Sequence, residues 1–163
     1  MKILAVLAAI VILVPLLLLA AGQFGMLRGS APADLGVRDG KLKAPSKTDN
    51  SVSSQASAWK EGELASAYAQ IEPLRVADSA EASMAKLRAI VAAQRGATIV
   101  TERPNYLYVQ FETRWLRFVD DTEFWFDPAT RLVQVRSASR IGRKDMGVNR
   151  ARIETIRTQL ATK

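Results

Sequence analysis

Hydrophobic and polar positions divide the chain into three stretches of different character. From Ile3 to Ala21 every residue is apolar, nineteen in a row, with Pro15 inside the run. As a helix this run spans roughly 28 Å at about 1.5 Å per residue, close to the ~30 Å of a bilayer's hydrocarbon core. A soluble helix would carry a polar stripe, so residues 1–27 read as a transmembrane anchor, and a proline is tolerated there. Ala20-Ala21-Gly22 also offers small residues at which a signal peptidase could cut, although the run exceeds the ~15 residues of a usual signal core. No cysteine follows it, which excludes a lipid-modified N-terminus.

Between Arg28 and Ala58 the periodicity fades. Gly29, Pro32, Gly36, Gly40 and Pro45 punctuate the stretch, and it ends on the polar run SKTDNSVSSQAS. Residues 28–58 are expected to form a tether or docking segment. Pattern returns near Trp59, and residues 59–163 suffice for one small domain.

Within that domain, Asp78 or Ser79 is placed to cap a helix that runs to Gln94. Glu81 suits its first turn, and Gly96 sits where a C-terminal cap belongs. Met84, Leu87, Ile90 and Val91 share one face and are expected in the core. Four runs rich in β-branched and aromatic residues follow: ATIVTE, YLYVQFE, WLRFVDDTEFWFD and RLVQVRSAS. A regular hairpin about Asp127-Pro128-Ala129-Thr130 pairs Phe126 with Arg131, Phe124 with Val133, Asp121 with Arg136 and Asp120 with Ser137. Phe124, Phe126, Val133 and Val135 then share the core face. Asp121, Glu123, Trp125, Leu132, Gln134 and Arg136 share the other, polar face. Asn149 to Ala161 reads as a last helix, with Asn149 as N-cap and Ile153, Ile156 and Leu160 as its apolar stripe. The expected fold class is α+β: an antiparallel sheet of about four or five strands with helices packed on one face.

Charge changes the picture at one end only. The formal net charge is +7, and residues 131–163 hold nine basic and two acidic side chains, so this last fifth carries the whole excess. A basic region on a membrane-tethered domain is attracted to anionic headgroups. Nucleic acid is disfavoured, because the aromatic residues do not interleave with the basic run.

Histidine and cysteine are both absent. That removes most nucleophile–base pairs, typical zinc sites, disulfides and thiolate metal sites. No glycine-rich phosphate loop is present. Asp120, Asp121 and Glu123 could hold a hard cation through oxygen ligands, but alternation sends Asp120 to the opposite face from the other two. The competing reading pairs these carboxylates with arginines across the hairpin. In RSASR, Arg136 and Arg140 lie on one strand face and could grip a phosphate or carboxylate, or could answer Asp121 and Glu123. Adding the start of the last helix, the candidate anion site comprises Arg136, Ser137, Ser139, Arg140, Asn149 and Arg150.

The segments LGVRDGKL (Leu35–Leu42), NSVSSQA (Asn50–Ala56), FVDDTEFWFD (Phe118–Asp127) and VRSASRIGRKDMGVNRARIE (Val135–Glu154) resemble, in order, the family called domain of unknown function 1499. The resemblance covers about 120 residues. It implies bacterial or plastid proteins that often carry a membrane or export segment, and it implies a compartment more than a reaction. Family members commonly have two cysteines near the positions of Pro45 and Ser51; this chain has neither, so the segment 44–56 lacks any disulfide or redox role they imply.

Lys2 and the free amine favour a cytoplasmic N-terminus, while Arg28, Arg38 and Lys41 weaken the charge asymmetry. The expected location is a single pass of the inner (cytoplasmic) membrane through residues 3–21, with the domain on the extracytoplasmic side. If the N-terminus is cleaved, the domain is periplasmic or secreted. The expected function is a non-enzymatic binding or accessory module without a cofactor, engaging an anionic lipid, a small anion or a membrane protein complex. The alternative is a metal-dependent hydrolase using Asp120, Asp121 and Glu123.

Overall fold

The computed structural model describes residues 2–59, 67–77 and 79–162; Asp78, one of the two residues expected to cap the second helix, lies outside them. Helix α1 (Lys2–Gln23) runs unbroken through Pro15 and is long and apolar enough to cross a membrane.

Among the described residues, six antiparallel strands form one sheet: β1 (Ser51–Ser53), β2 (Leu74–Arg75), β3 (Ala97–Arg103), β4 (Tyr106–Glu112), β5 (Val119–Asp127) and β6 (Leu132–Ser139). Their order is β1-β6-β5-β4-β3, and β2 shares the outer edge of β6 with β1. The four long strands match the four expected runs. Two very short ones raise the count above the expected four or five, because two or three residues carry no readable alternation. Trp115 to Phe118, expected at the head of β5, belong to the loop that precedes it.

The β5–β6 hairpin is shifted by two residues from the expected register. Asp120 faces Ser139, Glu123 faces Arg136 and Phe126 faces Val133. The cause is the loop's position: its four residues are Pro128 to Arg131, one place later than Asp127 to Thr130. Asp127 nucleates it, its carboxylate accepting from the Ala129 amide at 2.9 Å and the Thr130 hydroxyl at 2.7 Å. Arg131 closes it at φ 55°. A shift of two preserves the faces and changes only the partners. Phe124, Phe126, Val133 and Val135 therefore point into the main core as expected.

Helices α2 (Ala80–Ala92) and α3 (Val148–Ala161) pack on that core face. Ser79 caps α2, its hydroxyl accepting from the Ala82 amide at 3.2 Å, and Met84, Leu87 and Val91 are buried beneath it, with Ile90 packed partly against them. The helix ends at Ala92 with Ala93 as its C-cap, short of Gly96. Gly96 instead turns the chain into β3 at φ +75°, where a Cβ would stand 2.2 Å from the Glu112 carbonyl oxygen. Asn149 is inside the first turn of α3, not at its N-cap. The capping group is the Asp145 carboxylate, which accepts from the amides of Gly147 (3.0 Å) and Asn149 (2.9 Å), a favourable place for negative charge.

The opposite face of the sheet is also buried. Leu42 packs there with Tyr106, Tyr108 and Trp125, and Leu35 and Val37 close over them. The stretch from Asp34 to Ala44 thus lies across the face whose sequence reads as polar.

Candidate functional site

Alternation divides the charged residues of β5 and β6 into two layers, one on each side of the sheet. On the face beneath residues 34–44, Glu123 and Arg136 are almost fully buried and approach to 3.6 Å. Glu123 Oε1 accepts from the Tyr106 hydroxyl at 2.8 Å and from the Gly36 amide at 2.7 Å. The Arg136 Nε donates to the Ala44 carbonyl at 3.3 Å. Next along the strands, Arg140 grips Asp121 with both Nε (2.9 Å) and Nη2 (2.8 Å), and Tyr108 donates its hydroxyl to the same carboxylate at 2.5 Å. Burial pushes the Glu123 carboxyl up, against the pull of Arg136. Burial also lowers Arg136, against Glu123 and Asp121. Burial raises both tyrosines, and the neighbouring carboxylates raise them further.

On the helix side, Arg152 of α3 donates to Asp120 at 2.6 Å, to the Ser137 hydroxyl at 3.0 Å and to the Asn149 side-chain oxygen at 2.8 Å. Its guanidinium lies 4.4 Å from the centre of the Phe111 ring. Ser137 bonds Asn149 at 2.5 Å, and the Asn149 amide reaches the Ser139 hydroxyl, the Asn50 carbonyl and Asp145. Tyr68 donates to Asp145. Burial works to raise the Asp145 carboxyl, but the bonds it accepts from Tyr68, Asn149 and Gly147 outweigh that and lower it. Burial and the same carboxylate raise the Tyr68 hydroxyl to about 12.

The six residues named as an anion site are therefore not brought together on one surface. Arg136 and Arg140 are on the covered face, while Ser137, Ser139 and Asn149 are on the helix side. Arg150 stands apart, donating to the Tyr68 and Gln70 carbonyls. The three carboxylates are likewise divided, each paired with an arginine: Asp120 with Arg152, Asp121 with Arg140 and Glu123 with Arg136. Among the described residues, no group of three or more Asp, Glu, His or Cys side chains is arranged to hold a metal ion. The Ser46 amide donates to the Ser51 hydroxyl at 2.8 Å.

A different cluster lies where α1 ends. Gly22 sits against the Leu116 backbone so closely that a Cβ would stand 2.7 Å from its carbonyl oxygen. One residue on, Gln23 donates to the Trp115 carbonyl at 3.0 Å. The β4–β5 loop is thereby held at the helix end. Trp115 itself is 63% exposed, and Arg114 lies 4.8 Å from its ring. Gly29 packs on Arg140 and Ile141 in the β6–α3 connection, so that loop joins the same end of the sheet. Ile141 and Met146 are exposed there, and Met146 is 92% exposed. Sequence reasoning missed this rim. Its only signal was a tryptophan flanked by arginines, TRWLR, which β-propensity absorbed into a strand.

A family model described as "Protein of unknown function (DUF1499)" matches residues 41–160. The chain belongs to the DUF1499 family. No curated protein and no solved structure matches it. The DUF1499 match takes in both ionic layers, from Leu42 through Arg152, together with the β4–β5 loop. Helix α1 precedes it.

Proposed function

We propose that this DUF1499 protein is a membrane-anchored, non-enzymatic accessory module whose working surface is the end of its sheet nearest α1, laid against anionic lipid. In this reading α1 crosses the cytoplasmic membrane once and the domain stands on the extracytoplasmic side. The observation that carries it is the fastening of α1 to the β4–β5 loop through Gly22 and Gln23. With that loop held at the end of a membrane-spanning helix, Trp115 would sit at headgroup depth, where tryptophan is enriched. Ile141 and Met146 add apolar contact on the same end, and Arg143 and Lys144 between them add positive charge. The charged side chains of β5 and β6 are paired internally, whereas Trp115, Ile141 and Met146 on this rim are exposed.

Full-length protein in nanodiscs containing lipids brominated near the headgroup tests the reading. Tryptophan fluorescence should be quenched, and Trp115→Phe should remove most of the quenching while Trp59 and Trp125 remain. Equal quenching in the variant would refute it.

A further inference from the structure

One arginine cluster takes no part in either ionic layer, and the geometry points to a binding site for a phosphate group, supplied by the headgroup of an anionic phospholipid. Arg28, Arg95, Arg114 and Arg117 line one open cleft of about 650 Å³ with Glu112. Three different parts of the chain build it: the segment after α1, the α2–β3 turn and the β4–β5 loop.

The local structure explains the convergence. Glu112 ends β4, and its two carboxylate oxygens are taken by Arg28 on one side and Arg117 on the other, Arg117 Nε at 2.5 Å. Glu112 therefore holds two guanidinium groups in fixed positions and cancels one of four positive charges, so the cleft keeps a net +3. Among the described residues, Arg95 and Arg114 have no carboxylate partner. Arg114 is steadied against the Trp115 ring. Arg95 is drawn in by the Gly96 turn, whose bare Cα permits contact with the Glu112 backbone. A guanidinium presents a planar fork of donors that matches a phosphate's oxygens, and such pairs are among the stronger hydrogen bonds. Unbalanced arginines around an open cleft are therefore poised for an anion of that geometry.

Position selects the source of the phosphate. Arg28 follows the end of α1 by five residues, and Arg114 adjoins Trp115, so the cleft opens beside the helix end. This assignment rests on the membrane-surface reading proposed above. A free phosphate ion would satisfy the same donors.

The test uses the full chain released from nanodiscs and examined by native mass spectrometry. Wild type should retain phosphatidylglycerol in preference to phosphatidylcholine. Arg95→Gln with Arg114→Gln, both exposed and outside any ion pair among the described residues, should lower retention by about thirtyfold, the effect of two basic side chains at a headgroup. If inorganic phosphate binds wild type and not the double variant, with no preference between the two lipids, the site stands and its ligand is the free anion. Equal retention by both proteins, with no response to phosphate, overturns the site. Trp115 quenching in the double variant separates the two proposals: persistent quenching with no lipid selectivity removes this site alone, whereas absent quenching in wild type removes the surface reading beneath it.

Discussion

The two faces of the β5–β6 hairpin are equally buried but differently made. On one, Phe124, Phe126, Val133 and Val135 meet the apolar stripes of α2 and α3. On the other, Glu123 and Arg136 meet residues 34–44, which form no regular helix or strand, and the Asp121–Arg140 pair lies beside them. The difference follows from the cover. A helix satisfies its own backbone and asks the sheet only for apolar contact. An irregular segment brings unpaired amides and carbonyls, and once buried these need partners. Glu123 accepts from the Gly36 amide and Arg136 donates to the Ala44 carbonyl. Gln55 serves the same segment from its side, accepting from the Leu42 amide at 2.8 Å and donating to the Gly40 carbonyl at 2.8 Å. A polar sheet face can therefore mean a loop overhead instead of water.

Breaking that arrangement gives the largest expected effect. Arg136→Met leaves Glu123 buried without its cation and should cost about 3–5 kcal/mol of stability, measured by denaturant unfolding of the full chain in detergent. Adding Glu123→Met should restore much of the loss, since two apolar side chains of similar size replace a desolvated pair. If the single variant unfolds within about 0.5 kcal/mol of wild type, the size of an ordinary surface substitution, the pair is not a buried structural layer.

The pH dependence sharpens the comparison further, because Asp145 on the helix side and Glu123 on the covered side are shifted in opposite directions. Asp145, on the helix side, is held below its ordinary 3.8. It contributes stability above that value, which is lost as pH falls through the folded pKa. Glu123, on the covered side, is raised above its ordinary 4.5. It contributes stability below that value, which is lost as pH rises through the folded pKa. Tyr68 is raised from 10.0 to about 12, so its contribution is present below pH 10 and disappears on the way to about 12. In urea titrations across pH, Asp145→Asn should flatten the acid limb, Tyr68→Phe the alkaline limb, and Glu123→Gln the decline above pH 4.5. Matching slopes for Asp145→Asn and Glu123→Gln would contradict the division.

Much of this fold was legible in the sequence, and the reasons are local. The nineteen apolar residues from Ile3 announced α1, and a period of two sorted Phe124, Phe126, Val133 and Val135 onto the core face. The hairpin register was missed by two because Asp127 stays in the strand and bonds the loop with its side chain while Arg131 joins the loop at positive φ, which moves the loop one residue along. The cover over the second face was hidden for a different reason. Its bonds join groups as far apart as Gly36 and Glu123 or Ala44 and Arg136, and backbone groups leave no trace in a hydropathy pattern. The same blindness made Arg136, Ser137, Ser139, Arg140, Asn149 and Arg150 look like one basic site, when alternation and distance deliver them to three different surroundings. The arginine cleft at the end of α1 was illegible because it is assembled from three distant segments, each with an unremarkable local charge.

The most direct measurement of this account is hydrogen exchange at the Gly36 amide in the full chain. With residues 34–44 docked and that amide donating to buried Glu123, exchange should be strongly protected at neutral pH, and Glu123→Met should release it. Exchange at the rate of a free loop in the wild-type protein would show that the segment does not cover the ionic face, and the contrast between the two faces would fall with it.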